Sequence, residues 1–149
     1  MELNEKFNII FYNRGVGGFI TDELGINDLS NPDIPIAQMV DHYDQILCQV
    51  KAALPDVKLY LMAYYPVNYD AATEEMKPCL LVRTNQKIAE ANAAVKKLAE
   101  KHHVKYIDIN DPLKDENGNL KAEYTIEGMH IKEEGYRAIF PEFIRYAME

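Results

Sequence analysis

Cysteine is scarce. Cys48 and Cys79 are the only two in 149 residues, and no Cys-x-x-Cys pair exists. That count and spacing speak against a disulfide framework or a metal site, and each thiol falls in an apolar, helix-like stretch that suits a buried, reduced side chain. Long hydrophobic runs are missing too. The most apolar stretch, residues 59–67, is too short to span a bilayer and is broken by Pro66. The first six residues include Glu2 and Glu5, and the apolar run over residues 7–12 is short and interrupted by Asn8, which is unlike a signal peptide. A soluble, cytoplasmic protein is the expectation. Positive charge is outnumbered, with 16 Lys and Arg against 24 Asp and Glu for a net charge of -8. No basic patch offsets this balance, so neither nucleic acid nor an anionic membrane surface is an expected partner. Repeats, linkers and low-complexity segments are absent.

What remains is ordinary globular composition, 48% hydrophobic and 27% charged, in a chain of a length for one domain over residues 1–149. Residues 7–12 read as a buried strand running into the glycine-dense turn Asn13-Arg14-Gly15-Val16-Gly17-Gly18. From Ile36, apolar residues at Met39, Val40, Tyr43, Ile46, Leu47, Val50 and Leu54 repeat with the helical period, after Pro35 at the first helical position. A strand over residues 58–64 follows. A second helical pattern runs from about Leu81 through Ile88, Ala91, Val95 and Leu98 to His102 and His103, and residues 104–109 form a third strand. Residues 115–119 are a turn. The last segment places Tyr136, Ile139, Phe140, Phe143, Ile144 and Ala147 on one helical face that Pro141 should kink. Alternating strands and helices of these lengths imply crossovers onto a parallel sheet, hence an α/β/α sandwich.

Ligands of open α/β sheets bind beyond the carboxyl ends of the strands, so the loops there carry the candidate residues. Gly15, Gly17 and Gly18 could bring bare backbone N–H groups to a negative charge, although their spacing is not that of Gly-x-Gly-x-x-Gly, and dinucleotide binding is disfavoured. In Gly25-Ile26-Asn27-Asp28 the Asn27 amide could donate to an oxyanion or form an Asx turn. In Tyr124-Thr125-Ile126-Glu127-Gly128-Met129-His130 an imidazole stands three residues after a carboxylate, close enough for Glu127 to set its tautomer and leave the far nitrogen as a base. His42, His102 and His103 lie on helices without such an arrangement and receive no role. No cofactor is expected, and no metal-ligand cluster is apparent.

Together the three loops resemble the motifs of the SGNH, or GDSL-type, hydrolases, a family of serine esterases, lipases and acylhydrolases on a flavodoxin-like fold. Asn13 and Gly18 are similar to the family's second motif, Gly25 to Asp28 to its third, and residues 124–130 to its last. The resemblance implies that Gly18 and Asn27 are oxyanion donors and His130 is the general base. Glu127 stands where the family usually has Asp, and the extra methylene shifts the carboxylate by about 1.5 Å. Pro66-Val67-Asn68 also looks like the family.

The family's nucleophilic serine precedes the Asn-to-Gly motif, but the twelve residues before Asn13 contain none. Ser30 is the sole serine and the only candidate nucleophile. It follows Asn27 in a loop that the family uses for the oxyanion, so a turn or helix cap suits it better. Between Gly18 and Gly25 only residues 19–24 intervene, where the family has a helix and another strand, and a crossover needs about a dozen residues or more. The expected fold is therefore a reduced three-layer sandwich of about three parallel strands instead of five, lacking the family's first strand. Its open edges could pair with a second copy. The implied function is hydrolysis of a small ester or acetylated substrate, with little or no turnover by this chain alone. One alternative is a non-catalytic binding or oligomerising remnant of the same ancestry. Another is a start upstream of Met1 that includes the nucleophile, which would leave the internal gap unexplained.

Overall fold

The computed structural model describes residues 25–56 and 59–147. Helix α1 spans Ile36–Ala53. Pro35, with extended backbone at φ -70° and ψ 151°, precedes it as the N-cap rather than as its first residue, and Met39 and Leu47 are its buried positions. Strand β1, Tyr60–Met62, is shorter than the segment expected from composition. The helical pattern beginning near Leu81 resolves into two pieces, α2 at Lys77–Val82 and α3 at Asn85–His102. Thr84 separates them: its backbone is extended and its hydroxyl accepts from the Lys87 N–H at 3.1 Å, satisfying one of the donors a helix start leaves open. Ile88, Ala91, Val95 and Leu98 are buried, each large aliphatic contributing roughly 1.5–3 kcal/mol. His103, left-handed at φ 54°, ends α3 and turns the chain into β2, Lys105–Ile107. Helix α4, Glu133–Ala147, runs through Pro141.

β1 and β2 pair in parallel, Leu61 beside Tyr106 and Met62 beside Ile107. Successive side chains on a strand point to opposite faces, and this separates two cores. Leu61 and Tyr106 face a cluster built by Met39 and Leu47 of α1 and by the apolar face of α3. Tyr60, Met62 and Ile107 face the other side, where Ile139 of α4 packs with Ile109, Leu113 and Leu120. The sheet thus lies between helical layers, the α/β/α order expected from the alternation of elements. On the first side α1 and α3 are also tied by charge: Asp44 of α1 accepts from both Lys101 and His102 at the end of α3. These two donors hold the Asp44 carboxyl below the usual carboxylate range, Lys101 having the larger effect.

Two expectations change. Helix α4 turns Ile139, Phe143 and Tyr146 inward, whereas Tyr136 and Phe140 of the anticipated face are about half exposed. Among the described residues, α4 packs mainly on the 3-10 turns Asp111–Leu113 and Ala122–Tyr124, and its inward stripe meets Leu113, Leu120 and Tyr124. Cys48 is exposed and Cys79 only partly covered, so neither thiol is the buried core residue its surroundings suggested. The strand expected over residues 7–12, and with it Asn13, Gly15, Gly17 and Gly18, lies outside the described residues. Among the described residues, no helix is long and apolar enough to cross a membrane.

Candidate functional site

Two loops converge beyond β1 and α2. The first begins at Gly25, whose φ of +86° is a left-handed conformation that L side chains rarely adopt and whose Cα sits so close to Met39 that a Cβ would meet its Cγ at 2.5 Å. The chain then enters a 3-10 turn at Asp28–Ser30, with Leu29 only 1% exposed. Lys87 of α3 reaches back to hold this turn, its Nζ donating to the Leu29 carbonyl at 3.0 Å. Asn27, at the head of the turn, accepts from Arg83 Nη2 through Oδ1 at 3.1 Å. Because a guanidinium only donates, the amide oxygen must face Arg83, and the Nδ2 end is turned to the other edge as a donor.

Arg83 closes α2 and is 5% exposed. Its Nη1 donates to Met129 Sδ at 2.9 Å, while Nε is buried without a partner. Burial works against the charge and lowers the pKa of the guanidinium from its usual value. One buried cation therefore grips Asn27 in the first loop and the residue beside His130 in the second.

The second loop, residues 125–131, is closed at its base by an antiparallel bridge between Thr125 and Ile131. Inside it the Thr125 hydroxyl accepts from the Gly128 N–H at 3.0 Å. Glu127 Oε1 accepts twice from His130, from the backbone N–H at 2.8 Å and from Nδ1 at 2.5 Å. An ionised carboxylate cannot donate, so Nδ1 carries the proton and Nε2 is left as the basic nitrogen. The longer Glu side chain reaches the ring without difficulty. Glu127 is 16% exposed and His130 76% exposed, so the acid is sheltered while the ring stands at the surface.

The segment after β1 supports this loop from below. The Asn68 N–H donates to the Gly128 carbonyl at 2.7 Å, and Asn68 Nδ2 donates to the Leu120 carbonyl at 2.7 Å. The segment leading to Asn68 is held in turn by α3, where two side-chain amides act as sheet partners for Tyr64 and Val67. Asn92 accepts from the Tyr64 N–H at 2.7 Å and donates to its carbonyl at 3.1 Å. Asn85 does the same for Val67, at 2.8 Å and 2.9 Å.

The structure thus places Glu127 against His130 and links Asn27 to their loop through Arg83 and Met129. Gly18 lies outside the described residues. Ser30, the one serine, is tied down: its Oγ accepts from Cys79 Sγ at 3.2 Å on the turn that carries Asn27. Arg83, Asn85 and Asn92 were not anticipated. The two asparagines carried a faint signal, since both fall among the apolar positions of α3, where a polar residue needs a partner. No metal-ligand cluster is apparent in the sequence, but in the structure Asp44, Cys48 and His102 have donor atoms within 4.8 Å of one another. That grouping needs the packing of α1 on α3 and is invisible in linear spacing.

Comparison with known proteins gives a consistent picture. The model of a family described as GDSL-like lipase/acylhydrolase matches residues 7–138. A GDSL esterase/lipase of Oryza sativa subsp. japonica is 22% identical over 120 residues, covering 79% of this chain and 46% of the rice protein. Among solved structures, a candidate platelet activating factor from Streptococcus pneumonia superposes with a TM-score of 0.72 at 30% identity, over 81% of this chain and 55% of that one. A candidate acylhydrolase from Bacteroides fragilis gives 0.65 at 22% identity, over 83% and 57% of the two chains. A GDSL-like lipase from Bacteroides thetaiotaomicron also gives 0.65, at 20% identity over 83% and 58%. The chain spans about half the length of these relatives.

Proposed function

The chain belongs to the GDSL-like lipase/acylhydrolase family, and on that premise we propose that the Asn27 and His130 loops, joined through Arg83, form an ester-hydrolysis site for small or acetylated esters. His130 Nε2 is the general base, and Glu127 holds the ring in the tautomer that exposes it. The Asn27 amide, with the Gly18 backbone N–H, receives the charge that develops on the carbonyl oxygen. A single observation carries this reading: Glu127 Oε1 meets His130 Nδ1 at 2.5 Å while the ring itself is exposed. A histidine kept only for packing would be covered, and one merely solvated would have no reason to share a sheltered carboxylate with its own backbone N–H.

Base and oxyanion donors act on a tetrahedral intermediate that a nucleophile must first create. The only serine of the 149 residues accepts from Cys79 Sγ on the turn that carries Asn27, which argues against its serving as that nucleophile. We therefore infer that these residues alone bind acyl esters and cleave them slowly or not at all. This same observation favours a second reading, a binding module that keeps the cleft without turnover. Hydrolysis of short-chain aryl esters separates the two. Turnover lost in His130→Ala and kept in Ser30→Ala supports a site that takes its nucleophile from elsewhere. Labelling of Ser30 by a fluorophosphonate would overturn the exclusion of that serine, and turnover indifferent to His130→Ala would overturn the assignment of the base.

A further inference from the structure

At the end of α3 opposite to the one that holds the Asn27 turn through Lys87, three chemically different donors meet. Asp44 and Cys48 are one turn apart on α1 and so share a face. His102 is the last residue of α3, 9% exposed, and its Nε2–H donates to Asp44 Oδ1. The Cys48 sulfur, an Asp44 oxygen and a His102 nitrogen all lie within 4.8 Å of one another. We propose that Asp44, Cys48 and His102 bind a divalent metal ion of the zinc class, with solvent in the fourth position, clamping α1 to the end of α3.

The donor set selects the ion. One sulfur, one imidazole nitrogen and one carboxylate oxygen suit a borderline ion such as Zn2+ or Co2+, whereas Mg2+ and Ca2+ take oxygen ligands throughout. Thiolate and carboxylate together neutralise the dication, and the imidazole binds neutral. Ligand bonds of about 2.0–2.3 Å place tetrahedral donors roughly 3.3–3.8 Å apart, so the widest separation must close by about 1 Å. Cys48 is exposed and can make that adjustment by rotating its side chain, and the same exposure leaves room for the water.

The surrounding groups have definite parts. Lys101 Nζ bonds Asp44 Oδ2, which leaves Oδ1 to His102. Lys51 Nζ donates to the His102 carbonyl at 2.7 Å and steadies the end of α3. Both ammonium groups also repel a cation, so the site is weaker than a closed site of four protein ligands. Without metal, the hydrogen bond from His102 to Asp44 fills the same space. When metal binds, the thiol proton goes to solvent and the ring proton moves from Nε2 to Nδ1.

Titration of the full chain with Co2+ at neutral pH reads the site directly, through the thiolate-to-cobalt charge-transfer absorption in the near ultraviolet. The expected result is a band that saturates at one Co2+ per chain, is displaced by Zn2+, and disappears in Cys48→Ser but not in Cys79→Ser. Asp44→Asn and His102→Gln should each weaken binding by at least about tenfold. Zn2+ should raise the melting temperature of the unaltered protein and leave that of Cys48→Ser unchanged, a readout that holds even where the His102 variant folds poorly. Absence of the band, or its survival in Cys48→Ser, overturns the site. A band insensitive to Asp44→Asn and His102→Gln overturns the ligand set.

Discussion

Arg83 holds the Asn27 side chain by its oxygen, Nη2 to Oδ1 at 3.1 Å, and this one bond decides which end of the amide can donate. The same guanidinium also supports Met129, so the Asn27 and His130 loops share one buried cation.

Arg83→Met tests that relationship. Methionine keeps much of the stem and removes the charge, leaving the Asn27 oxygen without this donor. An acceptor left short of a partner costs about 1–3 kcal/mol. We expect a loss of that size by urea denaturation, together with a shift of the Asn27 side-chain amide signals in a 1H–15N spectrum. Unmoved Asn27 signals would mean that Arg83 does not orient the amide.

Two glycines with similar backbone angles make a controlled comparison. Gly128 at φ +91° lies against the Asn68 carbonyl oxygen, and an added Cβ would also meet the Ala72 Cβ at 2.9 Å. Gly118 at φ +81° has nothing within 4 Å. Gly118→Ala should therefore cost only the strained backbone, about 1–2 kcal/mol. Gly128→Ala should cost at least about 2 kcal/mol more, because a main-chain atom must move. Equal melting temperatures for the two variants would show that the loop around His130 gives way freely.

Glu127 sets the ring tautomer of His130 in this arrangement. Glu127→Gln takes away an acceptor that cannot donate and substitutes an amide that can present either end. At neutral pH the 15N spectrum of the unaltered protein should show His130 with its proton on Nδ1. In Glu127→Gln the population should move toward Nε2–H. If both proteins give the same tautomer ratio, the carboxylate does not control the ring.

Alkaline pH should unfold the protein through its covered tyrosines. Burial pushes the hydroxyls of Tyr43 and Tyr65 up to about 12. In the unfolded chain they titrate near 10, so between those values the unfolded state gives up protons that the folded state keeps. Stability conferred by the protonated hydroxyls is complete below about pH 10 and is lost as pH rises toward 12, by up to about 3 kcal/mol per group. From neutral pH to about pH 9 urea midpoints should be level, and above about pH 10 they should fall steeply. Tyr43→Phe should flatten that fall, and an unchanged slope would contradict the role of its burial.

Helices α1 and α3 were legible because their apolar residues repeat with the helical period, and Met39, Leu47, Ile88 and Val95 are indeed buried. The break at Thr84 was not read, although an N-cap residue stood there, because the apolar pattern runs on across it. The α4 stripe was overestimated for a related reason: periodicity tells which residues share a face, while the elements packed against the helix decide how many are covered.

Within the site, the pairing of Glu127 with His130 spans three positions, and a tight loop closed from Thr125 to Ile131 makes it almost a local property. Contacts of that span are written into the chain, since few backbone paths join residues so near in sequence. Arg83 and Asn27 are 56 positions apart, and His102 and Asp44 are 58. Such pairs meet only because apolar faces bury against the sheet and bring α2 to the Asn27 turn and α1 to the end of α3. Local spacing therefore determined the helices, the parallel crossover and the acid–imidazole pair. Packing of helices on strands decided which polar groups those elements share, because burial is non-directional and hydrogen bonds form between whatever donors and acceptors it brings within reach.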